Sequence, residues 1–305
     1  MNETNLLENQ PIAWTPTQDV IERAQLTKFM RQVGVSTFDE LYQFSIAETE
    51  NFTAEVLKFL DIKFNPPYEK LLDTSGGAAF PQWCAGAGLN ITEMCLDRWQ
   101  TDEMKDQPAI IWEGEDGETF TATYKEVFNY VEWYAAGLRG YGFGKGDAIG
   151  IFLPMIPQTI FALMAIARIG AVAVPVFSGY GVEAVASRMN AVGAKALFAS
   201  TGFLRRGKNI DSLAVATEVL EKCPSIKKIF LMQFFSAPNT NTKFEHPDFP
   251  VCYETSLLII GEANVRQDSK YGKIEPTNAE DPLIVLTSSV SCRRGCPWRR
   301  RRTST

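Results

Sequence analysis

The chain has 305 residues, 45% apolar and 22% charged, with a formal net charge of −6; this is ordinary for a soluble globular protein and leaves room for one large α/β domain with a smaller appendage. The last nineteen residues hold six arginines and no acid or lysine; without them 24 basic residues face 36 acidic ones, a net −12, and so acidic a body argues against nucleic-acid binding. The six cysteines show no secreted framework and there is no amino-terminal signal or long apolar run, so the expectation is a cytoplasmic protein outside the membrane.

Residues 1–75 read as a helical amino-terminal cap. Ser36-Thr37-Phe38-Asp39-Glu40 and Ser45-Ile46-Ala47-Glu48 both have capping-box spacing, which predicts two helix starts. In the second helix Phe52, Val56, Phe59 and Leu60 form an apolar stripe that Pro66-Pro67 ends, expected as a docking face for the neighbouring domain. Ser75-Gly76-Gly77 is a plausible linker, and a helix carrying Met94, Leu96 and Trp99 follows. The run from Ala109 to Tyr124 reads as a hairpin with Asp116-Gly117 at its turn. Thr123-Tyr124-Lys125-Glu126 then caps a helix that ends at Gly140. Turn and cap chemistry accounts for the acids here, so none is assigned to catalysis.

The stretch Asp147 to Gly181 organises the rest. An apolar run (Ala148 to Leu153) leads through two prolines into a helical segment (Ile160, Leu163, Met164, Ala167), then Gly170, a second β-branched run (Val172 to Phe177) and Ser178-Gly179-Tyr180-Gly181. Continuous apolar strands around a crossover helix predict a mostly parallel sheet with helices on both faces. Ligands of such sheets bind past the strands' carboxyl ends. There Gly179 and Gly181 would let a bound group approach the backbone, or serve only as a turn. A third strand, Lys195 to Ala199, runs into Phe203-Leu204-Arg205-Arg206-Gly207-Lys208, three cations within four residues. These suit phosphate recognition, with a solvated basic loop as the alternative. A helix (Leu213 to Leu220) and a strand (Ile229 to Met232) continue the alternation. His246, the only histidine, sits in a polar loop, which argues against a Ser/His/Asp triad.

Taken together, Pro108 to Glu115, Gly144-Lys145-Gly146-Asp147, Leu153-Pro154-Met155, Ala165 to Ala171 and Val176-Phe177-Ser178-Gly179 resemble AMP-forming acetyl-CoA synthetases and their adenylate-forming relatives over Leu41 to Leu286. The resemblance implies a helical cap followed by part of an adenylate-forming large domain, residues 76–286. It also implies an acid–thiol ligase that activates a small carboxylic acid with ATP and Mg²⁺ and passes the acyl group to CoA. Residues that align with Phe177, Gly179, Arg205 and Lys208 hold CoA's nucleotide end in that family. Lys208 stands where the family often has arginine; Ser178, Gly181 and Ala173, the last where a histidine is common, are further departures, so the acyl substrate need not be acetate. No residue is assigned to catalysis or to a metal.

The family's phosphate loop should follow Ala279 to Leu286. Residues 287–305 instead begin Thr287-Ser288-Ser289-Val290-Ser291-Cys292 and end in arginines, without the loop's glycines and lysine. The codons of Cys292-Arg293-Arg294-Gly295, read one nucleotide out of frame, can encode Pro-Lys-Gly. The expectation is therefore a frame-shifted tail, no ATP–Mg site, no adenylation by the chain alone and an open sheet edge. The alternatives are a non-catalytic CoA- or nucleotide-binding protein and a protein that interacts through its tail.

Overall fold

The computed structural model describes residues 13–233 and 251–287. His246 and the residues from Ser288 on, with the tail assigned to them, lie outside the described residues. The chain divides into two compact units between Ala87 and Gly88.

The first unit carries α1 (Gln18–Arg23), α2 (Gln25–Val33), α3 (Phe38–Ala47), α4 (Thr49–Phe59) and the antiparallel pair β1 (Lys70–Asp73) and β2 (Gln82–Ala85). Thr37 caps α3 as expected: it accepts from the Glu40 amide, and Glu40 accepts from the Thr37 amide. The second capping box does not form. Ser45 lies inside α3, where its hydroxyl donates to the Tyr42 carbonyl, and Glu48 precedes α4 without a side-chain cap. The apolar stripe of α4 is used within the unit, with Phe52 and Phe59 packing edge-on against Phe29 of α2. Ser75-Gly76-Gly77 falls in the connection between β1 and β2 instead of a linker, and the unit runs on to Ala87.

In the second unit, α5 (Ile91–Cys95) is shorter than the sequence suggests and tightens into a 3₁₀ turn, Asp97–Trp99. That turn presents the Asp97 carboxylate to Arg168, at 2.8 Å. Next come the hairpin β3 (Pro108–Glu113) and β4 (Thr119–Thr123), α6 (Tyr124–Gly140), β5 (Ala148–Phe152), α7 (Pro157–Arg168), β6 (Val172–Pro175), α8 (Val182–Val192) and β7 (Ala196–Ser200). A small hairpin, β8 (Phe203–Arg205) and β9 (Lys208–Ile210), precedes α9 (Ser212–Lys222), β10 (Lys228–Met232), β11 (Val251–Tyr253) and α10 (Glu254–Gln267).

The central sheet is parallel throughout, in the order β11-β10-β7-β5-β6. Its two faces follow from period-two alternation: Ile149, Ala173, Phe198 and Phe230 pack toward α6, α7 and α10, while Val174, Leu197, Ala199 and Leu231 pack toward α8 and α9. Helices α6 and α10 approach so closely that a Cβ on Gly261 would lie 1.9 Å from the Trp133 carbonyl oxygen. The outer edge of β6 is partly covered: Ala173 exchanges backbone hydrogen bonds with Leu283 and Val285, and bridges Ile284 in parallel.

Several residues of the recurring motifs are fasteners. Lys145 donates to the Pro276 carbonyl at 2.9 Å and pairs with Asp281 at 2.9 Å, which holds the Asp281 carboxyl below its ordinary range. Arg168, 4% exposed, donates to the Gly272 carbonyl at 2.6 Å and to both Asp97 oxygens. A buried guanidinium paired in this way ties α7 to the segments before and after the sheet.

Candidate functional site

The first strand of the central sheet, β5, has β6 on one side and β7 on the other, so the crossover from β5 to β6 and the one from β6 to β7 run in opposite directions. A crevice opens beyond the carboxyl ends where the order reverses, which is where doubly wound sheets bind ligands. Here that crevice is a cavity of about 320 Å³. Pro154 and Met155 after β5, Phe177 and Ser178 after β6, and Leu204 and Arg205 beyond β7 line it, and the β3–β4 hairpin closes one side. Trp112 fixes that hairpin to the sheet by donating from Nε1 to the Met155 carbonyl at 2.6 Å.

Three of the four residues singled out in the sequence converge here. The Arg205 guanidinium lies over the Phe177 ring, 5.1 Å from its centroid. At Gly179 a Cβ would stand 2.6 Å from Phe177 Cε1 and 2.7 Å from Arg205 Nη1, so glycine is what lets both side chains fold over the turn. Phe177 remains 53% exposed and meets Tyr180 edge-on at 5.5 Å. The basic cluster is a two-residue hairpin instead of a simple loop: Arg206 and Gly207 both take positive φ, 52° and 71°, as tight hairpin turns require. Register sets Lys208 opposite Arg205; it is exposed and does not line the cavity.

Glu115 joins this site without having been singled out. Its carboxylate accepts from the Gly207 amide at 3.3 Å, linking the β3–β4 loop to the tip of the basic hairpin. Nothing local in the sequence marks that contact, because it spans 92 positions.

Trp112 and Ile156 also line a second cavity of about 600 Å³, beyond β10 and β11 and beside the starts of α7 and α10. Its polar wall holds Glu254, which accepts from the Tyr134 hydroxyl at 2.5 Å and from the Gln158 side chain. Burial raises the Glu254 carboxyl above its ordinary 4.5, against the pull of these two donors; the same burial, with Glu254 beside it, sends the Tyr134 hydroxyl well above its usual value. Among the described residues no three His, Cys, Asp or Glu side chains gather as metal ligands, and no helix is long and apolar enough to cross a membrane.

A doubly wound parallel sheet with an arginine and an aromatic ring in the pocket at its switch point defines a fold class that binds ligands beyond the carboxyl ends of its strands. Residues 97–291 match the family model described as AMP-binding enzyme, and residues 38–95 match the acetyl-coenzyme A synthetase N-terminus. The chain belongs to the AMP-binding enzyme family. It is 30% identical to the acetyl-coenzyme A synthetase of Cryptosporidium parvum, over 85% of this chain and 35% of that one. It is 33% identical to that of Wolinella succinogenes, over 87% and 38%. The 3-hydroxypropionyl-coenzyme A synthetase of Sulfurisphaera tokodaii is 28% identical over 87% and 40%. The structure of acetoacetyl-CoA synthetase from Streptomyces lividans superposes with a TM-score of 0.75 at 26% identity, over 90% of this chain and 41% of that one. The chain thus spans well under half the length of these relatives.

Proposed function

We propose that the chain forms the front part of an AMP-forming acid–thiol ligase and that the cavity beyond β5, β6 and β7 holds the nucleotide end of CoA. The convergence of Phe177, Gly179 and Arg205 carries this reading. An exposed aromatic face suits a base. A side-chain-free backbone at Gly179 admits a ribose phosphate at close range. Arg205, with its fork splayed over the ring, can meet a phosphate through two parallel hydrogen bonds. Lys208, one register pair away and in solvent, contributes long-range attraction and not a defined contact. Whole enzymes of this type join a carboxylate to ATP's α-phosphate and then to the CoA thiol. The described residues would supply binding and orientation of CoA, which turns an encounter of two solutes into a reaction within one complex.

With the departures at Ala173, Ser178 and Gly181, the carboxylic acid that is activated need not be acetate. ATP and Mg²⁺ belong to the same proposed reaction. A magnesium ion in such a reaction is held chiefly by phosphate oxygens with one or two carboxylates, and no described residue is assigned to it. A cytoplasmic setting agrees with the free thiols of Cys95, Cys223 and Cys252.

Calorimetric titration with adenosine 3′,5′-bisphosphate, the nucleotide end of CoA, tests the reading. Saturable binding that weakens roughly 10- to 100-fold in Arg205→Gln, the size of a lost charge-assisted contact, supports it. Absence of binding, or binding indifferent to that substitution, overturns it.

A further inference from the structure

The 600 Å³ cavity is in the size range of a small-molecule site, and it differs from the smaller cavity in having no cation among its described lining residues to offset its acids. Among the described residues its lining includes two carboxylates, Glu118 and Glu254, and no lysine or arginine. Five aromatic residues line it, Trp112, Phe120, Tyr130, Phe161 and Tyr253. Tyr130 and Phe161 stack at 4.6 Å with their planes 8° apart, and with Phe161 only 2% exposed they form a rigid floor.

Glu254 is the unusual group. It sits at the first position of α10 with its carboxylate turned to Tyr134 of α6 and Gln158 of α7. Both partners are neutral, Tyr134 fully buried and Gln158 7% exposed. A carboxylate has about four acceptor positions, so these two donors leave capacity unused. A desolvated carboxylate without a cation is costly, and a ligand that brings the cation recovers part of that cost. Aromatic faces attract the same charge, most strongly where water is excluded.

We propose that this cavity binds a small organic cation, a protonated amine on an apolar or aromatic body. The ammonium donates to Glu254 while the body lies against Tyr130 and Phe161. This site is separate from the CoA pocket and does not rest on the ligase reading. Its position beside that pocket, across Trp112 and Ile156, makes it a second ligand subsite of the same unit.

The test is calorimetric titration of the full chain with three probes of one shape and different charge: phenethylammonium, 2-phenylethanol and 3-phenylpropanoate. The expected result is saturable binding of the ammonium, at least tenfold weaker binding of the alcohol and none of the carboxylate. In Glu254→Gln, which keeps the acceptor for Tyr134, the ammonium loses its advantage over the alcohol. Absence of saturable ammonium binding, equal binding of all three probes, or an ammonium advantage that survives in the variant would each overturn the proposal. The charge series is read on the unsubstituted chain, so it decides the matter even where the variant does not fold.

Discussion

The two cavities share one wall and differ in almost everything else. Trp112 and Ile156 belong to both. On one side of them a glycine turn and a basic hairpin meet at the switch point of the sheet; on the other a half-buried glutamate faces stacked aromatic rings beyond its far strands. The first is assembled from loops that follow strands, so its cations stay in solvent until a ligand arrives. The second is assembled from helix starts and the sheet surface, so its charge is desolvated beforehand. Both cavities have two glutamates in their lining, but only the first has an arginine beside them, a contrast that net charge alone would not have indicated.

The largest effect expected from breaking this contrast is structural. Gly261→Ala places a methyl against the Trp133 backbone, where no side-chain rotation relieves it. It should cost about 3 kcal/mol, read as a lower urea midpoint, and open the α6–α10 wall of the acidic cavity while leaving the nucleotide pocket in place. Gly179→Val comes next. Its side chain displaces Phe177 and Arg205, and calorimetry should detect no adenosine 3′,5′-bisphosphate binding although the unfolding midpoint stays within about 1 kcal/mol of the original. Trp112→Phe removes the bond to Met155, at about 1 kcal/mol, and should weaken ligands in both cavities, since the shared wall loosens. Lys208→Gln should weaken the nucleotide by roughly threefold or less, as expected of an exposed charge, with the difference vanishing in high salt.

The acidic cavity also predicts a pH dependence. Because the folded protein raises the Glu254 carboxyl above 4.5, it holds that proton to higher pH than the unfolded chain does. Stability contributed by this group is therefore full below 4.5 and is lost as pH rises through the raised value. Urea midpoints of the parent chain should fall over that window more than those of Glu254→Gln; parallel curves would remove the claim that this carboxyl is desolvated.

Much of the proposed nucleotide pocket was legible because its parts are local. Apolar runs broken by prolines and glycines give β5-α7-β6, and the switch-point rule puts Gly179 and the basic cluster near one another. The capping box at Thr37 is likewise a four-residue signal. Ser45 misled for the same reason: it has the spacing, but α3 continues through it. The stripe on α4 looked like an external docking face because Phe29, the ring it packs on, lies over twenty residues earlier. Lys208 was grouped with Arg205 by proximity in sequence; strand register does set it opposite Arg205, but it does not line the cavity. The glutamate cavity was not legible, since Tyr134, Gln158 and Glu254 come from three helices spread over 120 positions. An acid at a helix start reads as ordinary capping.

The most direct measurement is diffraction from crystals of the chain soaked with adenosine 3′,5′-bisphosphate. The account predicts density for the nucleotide between Phe177 and Arg205, with a phosphate against Arg205 and the ribose over Gly179. Nucleotide density beside Glu254 and the stacked rings of Tyr130 and Phe161, or none beyond β5 to β7 at saturating ligand, would contradict it.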